Sequence, residues 1–308
     1  MVKISVNKKP VSIITFNSNL GLIEPAPGEE PGVKKLPDRL RKSGFFDLIG
    51  PQEIIELEPP PYSMYLDPVS DMRNTDSIAV YAKQQVPILQ SVISRKNFAL
   101  VLGGDCSILI GNALALRKQG NYKLFFIDGH TDFMWPALSC THGVAGMDLA
   151  IVTGHGHEKL SNIDGYRPYF RETDTWCVGN REYDRDYVAA IEKTNIHYYD
   201  LNNLRKSGMT HCIDSFFARL SVDQPDGFWI HLDVDVLDPL IMPAVDSPDP
   251  GGLNYPELIS LLNPLLSHPL CIGMEITILD PDRDPDEKIV QEFVSQVGGT
   301  ILKSLSSS

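Results

Sequence analysis

The chain is poor in cysteine, in basic residues and in long apolar runs, and each shortage argues against a class of protein. Its five cysteines are odd in number, widely spaced and free of any CxxC pair, which argues against a disulfide framework or a structural zinc knuckle. No apolar run approaches the roughly 20 residues that span a bilayer. The first residues are partly basic but lack a long apolar stretch followed by a small-residue cleavage site, so no signal peptide is predicted. We therefore expect a cytoplasmic protein with no membrane role.

Acidic residues outnumber basic ones. The 308 residues include 40 Asp and Glu against 27 Lys and Arg, which gives a formal net charge of −13. Such a chain would repel phosphate backbones, so nucleic acid is not an expected partner. The hydrophobic content of 43% and the charged content of 22% are typical of a globular protein. The length allows a sizeable core, in one large domain or two ordinary ones.

Short apolar segments alternate with helical patterns along the chain. This alternation predicts an α/β fold, a three-layer αβα sandwich around a mainly parallel sheet that is covered on both faces. No repeat or linker interrupts the pattern, so residues 1–308 are expected to form a single domain. The segments with the composition of buried strands include 11–16, 98–102, 123–127, 227–232 and 270–274.

Acidic residues and a histidine follow two of these strands, at the end of the sheet where such folds bind ligands. Asp128, His130 and Asp132 alternate, so an extended backbone would point all three side chains the same way. Asp233 and Asp235 repeat the spacing. Either cluster alone is explained equally well by helix caps and a core histidine. Four aspartates would repel one another unless cations compensate, however, and carboxylates with imidazole suit ions such as manganese. Together the clusters predict a two-metal site.

Five motifs, in their order and spacing, resemble those of the arginase/agmatinase/formiminoglutamase family of ureohydrolases. They are GGDCS at 103–107, DGHTD at 128–132, THG at 141–143, DVDVLDP at 233–239 and GMEI at 273–276. The resemblance extends over nearly the whole chain. It implies an arginase-like fold, a centre of two Mn²⁺ ions, and hydrolysis of a C–N bond in a linear guanidino or formimino compound by a metal-bridging hydroxide, releasing urea or a relative. It also implies a homo-oligomer, a trimer or a hexamer.

The same resemblance assigns roles to individual residues. Asp128 and Asp233 would bridge the two ions. His142 resembles a mobile proton shuttle, and Glu275 resembles the carboxylate that orients the guanidinium group of the substrate. A solvent-facing loop histidine and a buried ion-pair carboxylate are the alternatives for these two residues. The metal ligands implied by the motifs are Cys106, Asp128, His130, Asp132, Asp233 and Asp235.

Two more residues of the second cluster have structural interpretations. His231 lies on the predicted strand face that carries Asp233 and Asp235, where it would contact a metal ligand or pack as an ordinary core histidine. Asp238, followed by Pro239, is expected to fix a turn rather than to bind metal.

Cys106 stands where the family motif has histidine. A coordinated thiol is deprotonated, which would leave the ligand shell near −1 instead of neutral and acidify a bridging water less. Cys106 therefore either binds the first ion as a thiolate, favouring softer metals such as zinc or iron, or leaves that ion weakly held. Two other interpretations stay open: Cys106 is an inert buried thiol in a pocket with one ion or none, or the site has lost catalysis.

The part of the site that would bind the rest of the substrate also departs from the arginases. Met134 stands where arginases have an asparagine that binds the substrate carboxylate, and it offers no suitable donor. Asp184 matches an aspartate that contacts the α-ammonium group, and Ser139 or Thr141 would supply hydroxyls. This pattern favours a guanidino or formimino substrate other than free arginine.

Three alternatives to this function are kept. The first is an N-hydroxyarginine-type hydrolase with the cysteine in its metal site. The second is a catalytically impaired family member with a structural or regulatory role, although retention of the other ligands weighs against it. The third is a zinc-dependent deacetylase-like hydrolase, which would not need the pair formed by Asp233 and Asp235, nor Glu275.

Overall fold

A computed structural model describes residues 9–181 and 183–306. In that part of the chain a central sheet of eight strands has the order β2-β1-β5-β10-β9-β6-β7-β8, and every neighbouring pair is parallel. A separate antiparallel ribbon joins β3 to β4. The strands are β1 Val11–Phe16, β2 Glu53–Leu57, β3 Leu66–Asp67, β4 Met72–Arg73, β5 Phe98–Gly103, β6 Tyr122–Ile127, β7 Thr175–Val178, β8 His197–Tyr199, β9 Gly227–Asp233 and β10 Cys271–Thr277.

Helices form the two outer layers. They are α1 Leu36–Lys42, α2 Phe45–Ile49, α3 Thr75–Ser94, α4 Ile108–Gln119, α5 Asp148–Val152, α6 Glu158–Ser161, α7 Arg185–Ile191, α8 Leu201–Ser207, α9 Met209–Asp223, α10 Tyr255–Ser267, α11 Lys288–Phe293 and α12 Gly299–Ser306. A π-helical segment, Val294–Gly298, joins α11 to α12. Among the described residues, no helix combines the length and apolar character needed to cross a membrane.

Two hydrophobic cores lie on opposite faces of the sheet. Strand β5 shows how the sequence builds both. Its residues Leu100 and Leu102 belong to the core that contains residues of α9, α10 and α12, whereas Ala99 and Val101 belong to the core that contains residues of α3 and α4. Successive side chains of a strand point to opposite faces, so an unbroken apolar run is needed when both faces are covered. The predicted three-layer αβα sandwich is confirmed. Because β1, near the start of the described residues, and β10, near their end, lie in the same sheet, we propose that the chain forms a single domain.

Candidate metal centre

The predicted metal ligands meet at the carboxyl ends of three strands. Cys106 follows β5, Asp128 follows β6, and Asp233 ends β9. These side chains are at most 3% exposed. In the described part of the chain, three groups of side chains bring one ligand atom each within 4.8 Å of one another. They are Cys106 with Asp128, His231 and Asp233; Cys106 with Asp132 and Asp148; and Asp128 with His130 and Asp132.

The backbone reaches this arrangement without the extended geometry that the alternation predicted. Strand β6 ends at Ile127, and Asp132 lies beyond it with a φ of 43°, in the left-handed region. Asp235 belongs to a single 3-10 turn, where its backbone N–H donates to the Asp233 carboxylate at 2.8 Å. Short irregular segments at the sheet edge therefore aim the side chains, and the tight conformation at Asp132 is held by its surroundings.

Several buried polar atoms of the cluster fit a bound cation. Within the described residues, Asp128 Oδ2, His231 Nε2 and both carboxylate oxygens of Asp148 have no hydrogen-bond partner. Burying such groups without a partner costs about 1–3 kcal/mol each. Burial, reinforced by the neighbouring carboxylates, raises the pKa of Asp128, Asp132, Asp148 and Asp233 well above the ordinary value. Divalent cations would satisfy both the lone pairs and the charge.

Two protons stand between predicted ligand atoms. The Cys106 thiol donates to Asp233 Oδ2 at 2.9 Å, and burial, with Asp233 beside it, raises the pKa of that thiol. His130 Nδ1 lies 2.9 Å from Asp235 Oδ2. Burial acts to lower the pKa of His130, but Asp235 outweighs it and the pKa is raised. Burial likewise acts to raise the pKa of Asp235, yet the charge and hydrogen bond of His130 lower it. A cation at either position would replace a proton.

The turn that presents Cys106 is fixed by its contacts with the loop after β1. Asp105 accepts a hydrogen bond from Ser18 Oγ at 2.7 Å and another from the Ser107 backbone at 2.8 Å. A Cβ atom on Gly104 would lie 1.6 Å from the Ser18 carbonyl oxygen, so only glycine fits there. The double glycine of the motif therefore sets the position of the cysteine.

A cavity of about 240 Å³ opens above this cluster. Carboxylates line one part of it, and Met134 and Ile278 contribute an apolar part. Ser139 also lines the cavity, where its hydroxyl lies 3.2 Å from that of Thr141. Such a site combines an apolar wall with a few polar groups, as small-molecule sites do.

Comparison with known proteins identifies the family. The model of the arginase family matches residues 29–303. The chain belongs to the arginase family. The arginase of Bacillus subtilis (strain 168) is 30% identical over 236 residues, which cover 76% of this chain and 79% of that protein. The arginase of Bacillus caldovelox is 28% identical over 304 residues, which cover 96% and 99%.

Solved structures agree with this assignment. The native structure of Bacillus caldovelox arginase matches with a TM-score of 0.84 and 27% identity, covering 95% of this chain and 98% of that one. A formimidoylglutamase structure from Bacillus subtilis subsp. subtilis str. 168 matches with a TM-score of 0.72 over 97% and 88%. Its identity is 19%, so this second likeness concerns the fold alone.

Of the predicted catalytic and substrate-binding residues in this arginase-family chain, three do not line the cavity, in contrast to Ser139. Glu275 lies inside β10, is 0% exposed, and pairs with His231 and Asn112. The direct substrate contact expected of Glu275 stays a prediction, while its carboxylate is enclosed by its partners and does not line the cavity. The register of the sheet explains this. Thr277 is level with Asp233, whereas Glu275 is level with His231, one pleat deeper.

His142 and Asp184 are also engaged elsewhere. His142 has a φ of 58°, and its ring Nδ1 lies 2.8 Å from the Asp71 carbonyl oxygen. The Asp184 carboxylate caps α7, where it accepts the backbone N–H of Asp186 at 2.9 Å. Helix capping explains its position in the sequence, so this geometry does not support the predicted contact with a substrate ammonium group.

Sequence reasoning missed two acidic residues of the site. Asp148 starts α5 within the apolar run VAGMDLAIV, and a lone carboxylate in such a run was the available signal. Asp246 lines the cavity from the loop after β9. Burial raises the pKa of Asp246 above its ordinary value, and no motif singled it out.

The raised pKa values predict how metal and pH act together on stability. Asp128, Asp132, Asp148 and Asp233 bind protons in the folded metal-free protein at a pH where the unfolded chain has lost them. Their stabilisation is therefore present below about pH 4 and is lost as pH rises through the raised values. Asp235 has a lowered pKa and therefore does not add to this loss of stability as pH rises.

We accordingly expect chelator-treated protein to melt at a lower temperature at pH 8 than at pH 5. Zinc or manganese at one fixed concentration, 100 times its dissociation constant at pH 8, should add about 2.7 kcal/mol at pH 8. The same concentration should add less at pH 5, where protons compete for the carboxylates. Scanning calorimetry with and without EDTA measures this. Equal metal-induced shifts at both pH values would contradict the assignment.

Proposed function

We propose that the chain is a metal-dependent hydrolase that cleaves a C–N bond of a linear guanidino or formimino compound and releases urea or a relative. The observation that carries the proposal is a set of buried carboxylates, Asp132, Asp233 and Asp235, at the wall of a cavity of small-molecule size. Bound divalent cations supply Lewis-acid polarisation and an acidified water at such a site. The curated relatives named arginase support the reaction class.

The side chains that line the cavity have separate tasks in this proposal. Asp246 pairs with the cationic end of the substrate, because a half-buried carboxylate with a raised pKa gains from a cation beside it. Ser139 and Thr141 offer hydroxyls to its polar groups. We keep His142 as the proton carrier, since its neighbours Thr141 and Gly143 line the cavity while its own side chain is 27% exposed.

The identity of the substrate is proposed from the cavity wall. Met134 and Ile278 present apolar groups, so the substrate we propose is a guanidino or formimino compound other than free arginine, although the curated relatives are arginases. We also propose two metal ions, Mn²⁺ or a softer ion because of Cys106, and a homo-oligomeric protein by analogy with the family.

A substrate panel tests the function. Protein loaded with manganese, zinc or iron is assayed for urea, hydroxyurea or formamide released from arginine, agmatine, N-hydroxyarginine, a guanidino acid and formiminoglutamate. We expect one of the last four to be the preferred substrate. Strong turnover of arginine with poor turnover of the others would overturn the choice of substrate. No product from any member, with metal bound, would favour the impaired family member, for which the enclosed Glu275 is the supporting observation.

Asp246→Asn tests how the substrate is held. Loss of one charge-assisted hydrogen bond, worth about 1.5–3 kcal/mol, should lower kcat/KM by about 10- to 150-fold for the preferred substrate. Asp214→Asn removes an exposed carboxylate from α9 and is the control. If both variants keep the kcat/KM of the unmodified protein, Asp246 does not bind the substrate.

A further inference from the structure

His231 is placed like a metal-binding histidine rather than like an ordinary core residue. It lies inside β9, is 0% exposed, and stacks on the Phe126 ring with 4.4 Å between ring centroids and 6° between planes. Its Nδ1 lies 2.7 Å from Glu275 Oε1. Asn112 Nδ2 donates to the other oxygen of Glu275. The ring is therefore held in one orientation by a stack on one face and a carboxylate at one nitrogen.

The other nitrogen of the ring faces the metal cluster. His231 Nε2 has no hydrogen-bond partner among the described residues, and 3.9 Å away lies Asp128 Oδ2, which has none either. With the ring proton on Nδ1, donated to Glu275, the Nε2 lone pair is a buried acceptor without a donor, which costs about 1–3 kcal/mol. One cation bound between these two neighbouring atoms would satisfy both of them.

We propose that His231 is a metal ligand in this chain and that Glu275 is the residue that positions it. The site consists of Cys106, Asp128, His231 and Asp233, whose ligand atoms lie within 4.8 Å of one another. It supplies the imidazole that the motif at Cys106 lacks, from a strand two places along the sheet. The proposal rests on the metal centre of the proposed function but not on the reaction.

The donor set and the geometry agree with this assignment. Metal-bound imidazoles commonly donate their second N–H to a carboxylate, which fixes the tautomer and makes the other nitrogen a better donor to the ion. Glu275 stands in that relation to His231. Ligand atoms about 2.0–2.3 Å from a tetrahedral ion are about 3.3–3.7 Å apart, so Nε2 and Asp128 Oδ2 need to approach by a few tenths of an ångström. One sulfur, one nitrogen and two carboxylates favour zinc over manganese.

A crystal structure of the full chain with zinc tests the ligand directly. We expect an anomalous peak at the zinc edge about 2.0–2.1 Å from His231 Nε2 and about 2.3 Å from Cys106 Sγ. Zinc in the cluster but beyond about 3 Å from Nε2 would overturn the proposal and leave the hydrolase function standing. The absence of zinc from the whole cluster would also overturn the proposal, whereas the hydrolase function, proposed with manganese or a softer ion, is decided by the substrate panel.

Zinc affinity in solution gives an independent test. The double variant His231→Gln/Glu275→Gln replaces the pair together, so that neither buried partner is left alone. It should lose one zinc ion or bind it at least 10- to 100-fold more weakly in a chelator competition. Replacing only the residue that orients a metal ligand already has an effect of this size. The matched control is His155→Gln/Glu172→Gln, a second histidine–glutamate pair with its atoms 2.8 Å apart. Circular dichroism checks that both fold. Unchanged zinc affinity in the folded test variant would overturn the proposal.

Discussion

Asp233→Asn is expected to remove at least one metal ion and to lower kcat/KM by about three orders of magnitude. Asp233 is 3% exposed, belongs to the cluster of possible ligands, and accepts the Cys106 thiol at 2.9 Å. Asparagine keeps the shape and the acceptor for the Asp235 backbone N–H, but it lacks the charge that holds a cation. Polarisation by the ions is worth several kcal/mol, and about 1.4 kcal/mol corresponds to a factor of ten. Elemental analysis and the substrate panel measure the two effects.

Asp238→Asn is the matched control, because it changes an aspartate of the same motif. The Asp238 carboxylate accepts the backbone N–H groups of Leu240 and Gly251, each at 2.8 Å, which confirms that it fixes a turn. We expect this variant to lose about 1 kcal/mol of stability and to keep its metal. Full metal content and full activity in Asp233→Asn would contradict the metal centre.

Gly104→Ala is expected to destabilise the fold by about 3 kcal/mol or more and to lower Tm by about 10 °C. The new Cβ would lie 1.6 Å from the Ser18 carbonyl oxygen and 2.7 Å from its carbonyl carbon. The backbone cannot simply move aside, because the Asp105 N–H donates to the same Ser18 oxygen at 3.1 Å and the Ile278 N–H donates to the Gly104 carbonyl at 2.8 Å. The turn that carries Cys106 would therefore shift, and metal affinity should fall as well.

Gly299→Ala controls for the substitution itself. No heavy atom lies within 4 Å of a Cβ built on this glycine, which is the first residue of α12. Alanine has the higher helix propensity, so we expect a change within about 1 kcal/mol, in the stabilising direction. Thermal unfolding and metal titration of both variants provide the comparison. If Gly104→Ala has the same Tm as the unmodified chain, the loop after β1 moves away from the new Cβ at little cost, and the predicted clash is wrong.

Much of the candidate site was predictable because its residues follow strands. An apolar run such as 123–127 ends a buried strand, and in a parallel sheet all strands end at the same edge. Asp128, Asp233 and Cys106 therefore had to lie near one another, and the structure places them so. The αβα class followed from the same alternation of strand and helix patterns. These inferences need only the local pattern of apolar and polar residues, which can be read directly from the sequence.

The depth of each side chain below the sheet edge depended on register between strands, which local periodicity does not contain. Glu275 and Thr277 are two residues apart and therefore lie on the same face of β10. Pairing with β9 places Glu275 beside His231, below the cavity. Ile278, just past the strand end, lines the cavity instead. The sequence by itself thus determined the fold class and the edge at which ligands gather. Only the tertiary structure decided which carboxylates reach the cavity and which hold a histidine behind it, because those roles are set by contacts between strands far apart in the chain.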